Sequence, residues 1–400
     1  MSKWLLLIFS ALFTQALCAQ TLEEQAMKID DLLQKKLYAQ AAEQADSVSS
    51  NNNTRILFLK AEAYYYVGQW ERAIQFYRLV NQDNSGQTDF NLALCFANVN
   101  RLDSVDYYLR SNVKSDYKVS SNQIEFNDDL KKFRNSPYWE SFWKGDLYSA
   151  DEKSLERAQY YAENKQLSLA LDILDELIEK NKNNDRAYFY RAQYIIQLNK
   201  DYKYALGDLK TALKLKPNKF EYNFLMAQYQ LETFKNKKAY EYFQKADKIE
   251  PYRNNVCYYL AQSAQRMGQY DLAISYVDRL LKADDRNIET LKLAGLIYYD
   301  AEKYQPSIEY LTNALYINSR RIDLLVARGK AYFDDGQYQR AGMDFNIAID
   351  LDIQNGELWY YKGLAYFYQD KKDQACKYFK KASFLNYYKA DEYLLKECSR

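Results

Sequence analysis

The sequence has no histidine among its 400 residues. Histidine is the usual general base of enzymes and the commonest zinc ligand, so its absence excludes Ser-His-Asp triads and histidine-based zinc sites. Glycine and proline are also scarce, at 11 and 4 residues. This scarcity favours helices joined by short turns, and no glycine-rich phosphate loop is present. We therefore expect an all-helical protein that is not an enzyme and holds no cofactor or metal.

An excess of either charge is missing too, since 55 basic residues are balanced by 54 acidic ones. Balanced charge produces no large positive field, and we expect no nucleic-acid partner. After the first twenty residues, no stretch approaches the 18 or more apolar residues that indicate a transmembrane helix. The sequence therefore predicts a mature protein without a transmembrane segment.

The first residues have the layout of a secretory signal peptide. Lys3 precedes an apolar run over residues 4–13, and a small residue, Ala19, stands where cleavage would occur. We assign residues 1–19 to this signal. Its presence predicts export in a bacterium, to the periplasm, the outer membrane or the exterior.

Cys18 gives an alternative interpretation of the same segment, in which the cysteine is acylated and anchors the protein to a membrane. That motif expects a small residue before the cysteine and usually leucine three residues before it. This chain has Leu17 and Gln15 at those places. We therefore favour cleavage over a lipid anchor.

Small residues recur through the chain at a nearly constant interval. One set is spaced by 35 and then by 34 residues: Ala170, Ala205, Ala239, Ala273, Ser307, Ala341 and Ala375. A second set lies upstream of it: Ala158, Ala192, Ala227, Ala261, Gly295, Gly329 and Gly363. A period of this length indicates a repeat architecture. Two small positions per repeat predict two close helix crossings, because helices approach to about 8–10 Å only where the contacting side chains allow it.

Aromatic residues accompany these small ones. One repeat carries Gly329, Tyr332, Gly336, Tyr338, Ala341, Phe345 and Ala348. Residues at this spacing resemble the tetratricopeptide repeat family. The resemblance implies an all-α, right-handed superhelical α-solenoid of about ten antiparallel helix pairs. It also implies a non-enzymatic scaffold that binds a protein or an extended peptide in a concave groove.

The repeats predict a division of the chain. Seven well-phased repeats occupy 151–389 and are followed by a capping helix at 390–400, while about three looser repeats occupy 20–117. The period fails over 118–150, which we interpret as a helical joint between the two blocks. A proline break at Pro137 separates two short helices there. An apolar plug that caps the first block is the simplest interpretation of this joint.

The resemblance places the groove on the first helix of each repeat. One position of that helix is glutamine in four successive repeats: Gln159, Gln193, Gln228 and Gln262. Aromatic residues follow the same path: Phe189, Phe224, Tyr258, Tyr299, Phe333 and Tyr360. Amides can pair with a peptide backbone while rings bury its side chains, so we predict that these residues form a peptide groove.

Other interpretations of the same residues stay open. Glutamine is a good helix former on a wet surface, and 41 tyrosines and 19 phenylalanines can fill cores without any ligand. A glycan-binding protein with exposed tyrosines as stacking platforms is the rival function. An enzyme is a third alternative.

Export would expose the remaining cysteines to an oxidising compartment. Cys376 lies in the second helix of the last repeat and Cys398 in the terminal helix, so antiparallel packing could join them in a disulfide. Four free thiols, including Cys95 and Cys257, are the alternative. No Cys-x-x-Cys pair occurs, which argues against a zinc site.

Overall fold

The structure is a computed structural model that describes residues 22–48, 53–83, 86–144, 147–198, 202–251 and 253–398. Every regular element within these ranges is a helix. The predicted all-α class with paired helices is therefore confirmed. The predicted signal peptide at 1–19 and Cys18 lie outside the described residues.

The chain separates into two compact parts, an N-terminal region that ends at Val256 and a C-terminal region that begins at Cys257. The helices of the N-terminal region are α1 (22–34), α2 (Tyr38–Ser47), α3 (Thr54–Tyr66), α4 (Trp70–Asp83), α5 (Asp89–Asn98), α6 (Leu102–Asn112), α7 (Ser121–Glu125), α8 (Lys131–Arg134), α9 (Pro137–Trp143), α10 (Ala150–Glu163), α11 (Leu167–Lys180), α12 (Asp185–Gln197), α13 (Tyr202–Leu215), α14 (Phe220–Glu232) and α15 (Asn236–Ile249).

Helix α16 (Asn254–Arg266) includes the boundary between the two regions. The C-terminal region continues with α17 (Tyr270–Ala283), α18 (Ile288–Asp300), α19 (Tyr304–Ile317), α20 (Ile322–Asp334), α21 (Tyr338–Leu351), α22 (Gly356–Phe367), α23 (Lys372–Phe384) and α24 (Lys389–Glu397). Consecutive helices pack against each other, so each repeat is a first helix, a short turn and a second helix.

The turns inside the repeats share one backbone feature, a residue with positive φ. These residues are Lys36, Gly68, Asn100, Lys165, Phe234, Gly268, Glu302, Gly336 and Asp370. At the end of α16, Gly268 N–H donates to the Gln265 carbonyl and Gln269 N–H donates to the Ala264 carbonyl, both at 2.9 Å. Such bonds satisfy carbonyls that a helix end leaves without a partner.

The spacing of these positive-φ residues gives the length of each repeat. From Lys36 to Asn100 they recur every 32 residues, whereas from Gly268 to Asp370 they recur every 34. The first repeats are therefore two residues shorter than the later ones. This difference explains why the sequence pattern looks looser before residue 118.

The recurring small residues lie at the helix crossings. All the alanines of both sets and Ser307 are fully buried. A Cβ atom added to Gly363 would lie 2.6 Å from Phe379 Cε1, and one added to Gly329 would lie 2.9 Å from Phe345 Cε1. Both distances are shorter than van der Waals contact. Glycine therefore allows the first helix of a repeat to lie directly against a ring of the second.

The segment without repeats packs on the first block. Pro137 begins α9, where its missing N–H would have had no helical partner. Leu130, Phe133 and Phe142 are fully buried in the same core as residues of α3 to α6. This packing fixes residues 118–127 at one side of the site described below.

Both ends of the N-terminal region meet at a polar contact. Asn254 Nδ2 donates to the Met27 carbonyl at 3.2 Å, across 227 residues of sequence. The Asp30 carboxylate accepts from Arg55 Nη2 at 2.7 Å and also from the backbone N–H of Asn254. Burial raises the pKa of Asp30, an effect that Arg55 and Arg253 oppose. The first helix of the region is thus held against its last residues.

We expect Gly363→Ala to lower the free energy of unfolding by about 1–3 kcal/mol, because the added methyl group must displace the Phe379 ring. Gly342→Ala is the matched control. This glycine is also buried in a helix, but the nearest atom to its added Cβ lies 3.7 Å away. We expect Gly342→Ala to raise the free energy of unfolding by roughly 0.5–1 kcal/mol, because alanine favours a helix more than glycine does. Denaturation followed by circular dichroism compares the two, and equal shifts would contradict the packing role.

Candidate functional site

A cavity of about 940 Å³ lies inside the N-terminal region. Residues 118–127, with the short helix α7, form one side of it. The first helices α10, α12 and α14 form the other side. A cavity of this volume accommodates a small ligand or several residues of a peptide.

Two of the predicted groove residues line this cavity, Gln159 on α10 and Phe189 on α12. Gln159 is hydrogen-bonded to the Tyr190 hydroxyl. Phe189 packs against the Tyr222 ring with their centroids 4.7 Å apart. Part of the amide ladder and part of the aromatic set therefore face one cavity.

Other predicted groove residues of the N-terminal region lie nearby but outside the cavity lining. Gln193 is exposed on α12, while Gln228 and Phe224 are half-buried on α14. Phe224 stacks on Phe220 at 5.5 Å and meets Phe243 edge-on at 5.6 Å. Its ring therefore contributes to the packing between helices.

The joint is fastened to α10 by polar contacts at the cavity edge. Glu156 accepts from the Ser121 backbone N–H at 2.6 Å and from Ser121 Oγ at 2.5 Å. Lys118 Nζ lies 2.7 Å from Glu152 Oε1 and donates to the Leu147 carbonyl at 2.6 Å. These contacts hold the two sides of the cavity at a fixed separation.

Ionisation at this edge follows from burial and hydrogen bonding. Burial alone would raise the pKa of Glu152, but hydrogen bonds from Lys118 and Ser149 lower it below its ordinary value. Burial raises the pKa of Tyr148, whose hydroxyl donates to the Val119 carbonyl at 3.0 Å. Near neutral pH the carboxylate is therefore charged, and the hydroxyl keeps its proton as a donor.

The far end of α10 presents a more open surface to the cavity. Phe126 from the joint is 71% exposed and Tyr160 is 58% exposed, which is high for aromatic side chains that line a cavity. The exposed carboxylate of Glu163 lies one helical turn after Tyr160. This end of α10 combines an accessible ring with an acid, and a second accessible ring, from the joint, lines the same cavity.

Sequence reasoning missed the joint's contribution to the site. The repeat period does not include Phe126, Lys118 or the contact between Glu156 and Ser121. Recurring positions in the sequence therefore do not identify them. The available signal was Phe126, an aromatic residue in the mostly polar stretch from Asn122 to Asn127.

The remaining predicted groove residues belong to the C-terminal region and are half-buried: Tyr258, Gln262, Tyr299, Phe333 and Tyr360. Tyr258 meets Tyr259 edge-on at 5.8 Å. The Tyr299 hydroxyl donates to Asp334 Oδ2 at 2.5 Å, and burial together with this acceptor raises its pKa. Phe333 meets Tyr338 and Tyr368 edge-on at 5.2 and 5.4 Å. Most of these rings are thus engaged with neighbours.

Tyr360 lies beneath the terminal helix α24. Its ring is 5.1 Å from Tyr387 and 6.0 Å from Tyr393. A disulfide joins Cys376 of α23 to Cys398, just after α24, with their Cα atoms 5.7 Å apart. Cys95 and Cys257 are free and buried. The terminal helix therefore covers a ring that the sequence pattern places in the groove.

First helices of the C-terminal region are also linked by ion pairs. Lys292 of α18 lies 2.6 Å from Asp323 of α20, and Lys330 of α20 lies 3.1 Å from Glu357 of α22. These charges satisfy one another across adjacent repeats. They leave fewer charged groups available for a ligand on this face.

The helix pairs define an α-solenoid, and the cavity lies against three of its first helices. The tetratricopeptide repeat family model matches residues 258–320 and 326–384. The matched part of the C-terminal region therefore consists of tetratricopeptide repeats, and the resemblance seen in the sequence is confirmed there. Repeats of this kind support a protein-interaction scaffold.

Several solved structures are similar to parts of this chain at low sequence identity, and one of them has a TM-score above 0.5. A tetratricopeptide repeat protein from Parabacteroides merdae is 18% identical, with 61% of this chain and 97% of that chain covered and a TM-score of 0.51. PilW, described as a widely conserved type IV pilus biogenesis factor, is 18% identical over 51% of this chain and 94% of its own, with a TM-score of 0.45. MamA from Desulfovibrio magneticus is 18% identical over 42% of this chain and 94% of its own, with a TM-score of 0.40.

None of the curated proteins matches the chain in sequence. Among the helices that the structure describes, none combines the length and the apolar character needed to cross a bilayer.

Glu156→Gln should loosen the joint, because a neutral amide replaces the carboxylate that accepts two hydrogen bonds from Ser121. Charge-assisted bonds of this kind contribute roughly 1.5–3 kcal/mol. We expect faster amide hydrogen exchange at residues 119–125 with little change in the rest of the protein. Glu179→Gln, at an exposed position of α11, is the control. Unchanged protection of residues 119–125 would show that the contact does not hold the joint.

Loss of the disulfide should release α24. The bridge closes a loop across 22 residues, and such a bridge contributes about 3 kcal/mol. Reduction by a phosphine should accelerate limited proteolysis after residue 385. A Cys376→Ser/Cys398→Ser double variant should be cleaved as fast without reductant and should not respond to it. Equal cleavage of oxidised and reduced protein would show that packing of Tyr393 alone retains the helix.

Proposed function

We propose that this protein is a non-enzymatic scaffold of a bacterial envelope, and that the cavity beside α10 binds an extended segment of a protein partner. The protein-interaction class follows from the family. The location of the binding site, the extended form of the ligand and the envelope location are the specific parts of the proposal.

The observation that supports the site is the position of Gln159 and Phe189. Both were selected from the repeat pattern alone, and both line a cavity of about 940 Å³ with aromatic side chains around it. Extended peptides bind well to such surfaces, because their backbone pairs with amides and their side chains enter apolar recesses. Aromatic residues also supply much of the binding energy at protein interfaces.

Two features support the envelope location. Residues 1–19 have the order of a basic residue, an apolar run and a small residue that directs export. A disulfide between Cys376 and Cys398 persists in oxidising compartments and is rare in the cytosol. The absence of histidine from the sequence supports a role without acid-base catalysis.

Site-specific photo-cross-linking in living cells tests the site. Tyr160 is replaced by p-benzoylphenylalanine, which places the reactive group at the cavity edge. Tyr204 serves as the matched control, because it lies in the same region, is 70% exposed and does not line the cavity. We expect a protein adduct from position 160 and none from position 204.

A second substitution links the adduct to the cavity. Phe189→Ala combined with Gln159→Ala removes one ring and one amide from the lining, and we expect the yield of the position-160 adduct to fall at least fivefold. Circular dichroism checks that the double variant is folded. Equal adduct from positions 160 and 204, or a yield that the double variant leaves unchanged, would contradict the proposed site.

A further inference from the structure

We infer that the part of the cavity formed by Tyr160 and Glu163 at the C-terminal end of α10, here called the cation pocket, receives an arginine or lysine side chain of the bound partner. This inference rests on the proposed function, because it specifies the chemistry of the segment that the cavity binds.

Two of the three α10 carboxylates that line the cavity are already engaged within the protein. Glu152 is paired with Lys118, and Glu156 accepts two hydrogen bonds from Ser121. Among the residues that the structure describes, Glu163 has neither an ion-pair partner nor a hydrogen-bond partner. It is therefore the one α10 carboxylate in the cavity lining whose charge the protein does not satisfy within this part of the chain.

An exposed aromatic ring lies beside that carboxylate on α10. Tyr160 and Glu163 are three residues apart on α10, so their side chains share one face of the helix. Phe126 reaches the same cavity from the joint. The faces of aromatic rings attract cations, and a guanidinium or ammonium group gains further when a carboxylate lies beside them.

The cavity's own basic groups lie near the N-terminal ends of the helices that line it. Its basic lining residues are Lys118, Arg186 and Lys219. Lys118 pairs with Glu152 in the first turn of α10, Arg186 is the second residue of α12, and Lys219 directly precedes α14. Glu163 ends α10, about 16 Å along the helix from Glu152 at 1.5 Å per residue.

The distance between Glu152 and Glu163 sets the length of the partner segment, and the charge of Glu163 sets the kind of side chain that binds there. An extended chain advances about 3.3 Å per residue, so five residues span the distance along α10. An apolar side chain at the cation pocket would remove water from Glu163 without supplying a partner, which is costly. An acidic side chain would be repelled. A basic side chain pairs with the carboxylate and also contacts the face of the Tyr160 ring.

A peptide library tests the inference. The probe is a randomised hexapeptide library with acetylated N-termini and amidated C-termini, so only side chains carry charge. Peptides captured by the full chain should be enriched in arginine or lysine at one position. Replacement of that arginine by the neutral isostere citrulline should weaken binding about tenfold or more.

Substitutions of Glu163 test whether this residue causes the preference for a basic side chain. Glu163→Gln should abolish the basic preference, and Glu163→Lys should replace it with a preference for aspartate or glutamate. Glu179→Gln is the matched control, since it removes an exposed carboxylate from α11 outside the cavity. Glu163 is itself exposed, and circular dichroism verifies that each variant is folded.

The outcomes separate this inference from the proposed function. One result would overturn the cation pocket and leave the cavity as the binding site. In that result, the captured peptides compete with formation of the position-160 adduct, but they show no preference for a basic residue or keep that preference with Glu163→Gln. If no peptide is captured, or if the Phe189→Ala/Gln159→Ala variant binds the captured peptides as well as the unsubstituted protein does, both the cation pocket and the proposed function are contradicted.

Discussion

Close packing between the two helices of each repeat is the constraint on which the rest of the structure depends. At Gly363 and Gly329, the first helix lies so close to a phenylalanine ring of the second that even a methyl group does not fit. Interiors packed this tightly tolerate little change in volume. The same crossing, repeated along each region, keeps the first helices side by side. Residues at one repeat position, such as Gln159 and Gln193, therefore follow one another along neighbouring helices.

This constraint also decides how much the sequence could predict. Buried positions such as Ala341 and turns such as Gly336 recur with the period, and local periodicity was enough to identify them and the fold. The cavity was not predictable, because one of its sides depends on a contact between Ser121 and Glu156 that joins an aperiodic segment to a repeat. Tyr360 fits the groove pattern equally well, but no periodic signal shows that α24 covers it.

The two regions treat the charges on their first helices differently. In the C-terminal region, Lys292 and Lys330 pair with acids of the next repeat, so much of the charge is satisfied internally. In the N-terminal region, Lys118 pairs with Glu152 at the joint, whereas Glu163, which lines the cavity, has no ion-pair partner among the described residues.

The contact between Asn254 and Met27 has a consequence for biosynthesis. Nearly all other packing in this fold joins neighbours in sequence and can form as the chain emerges from the ribosome, whereas this contact joins residues 227 positions apart. At about 5–20 residues per second, the first helix would wait roughly 11–45 s for its partner to be made. During that interval Met27 and Asp30, buried in the finished protein, would be accessible to chaperones or proteases.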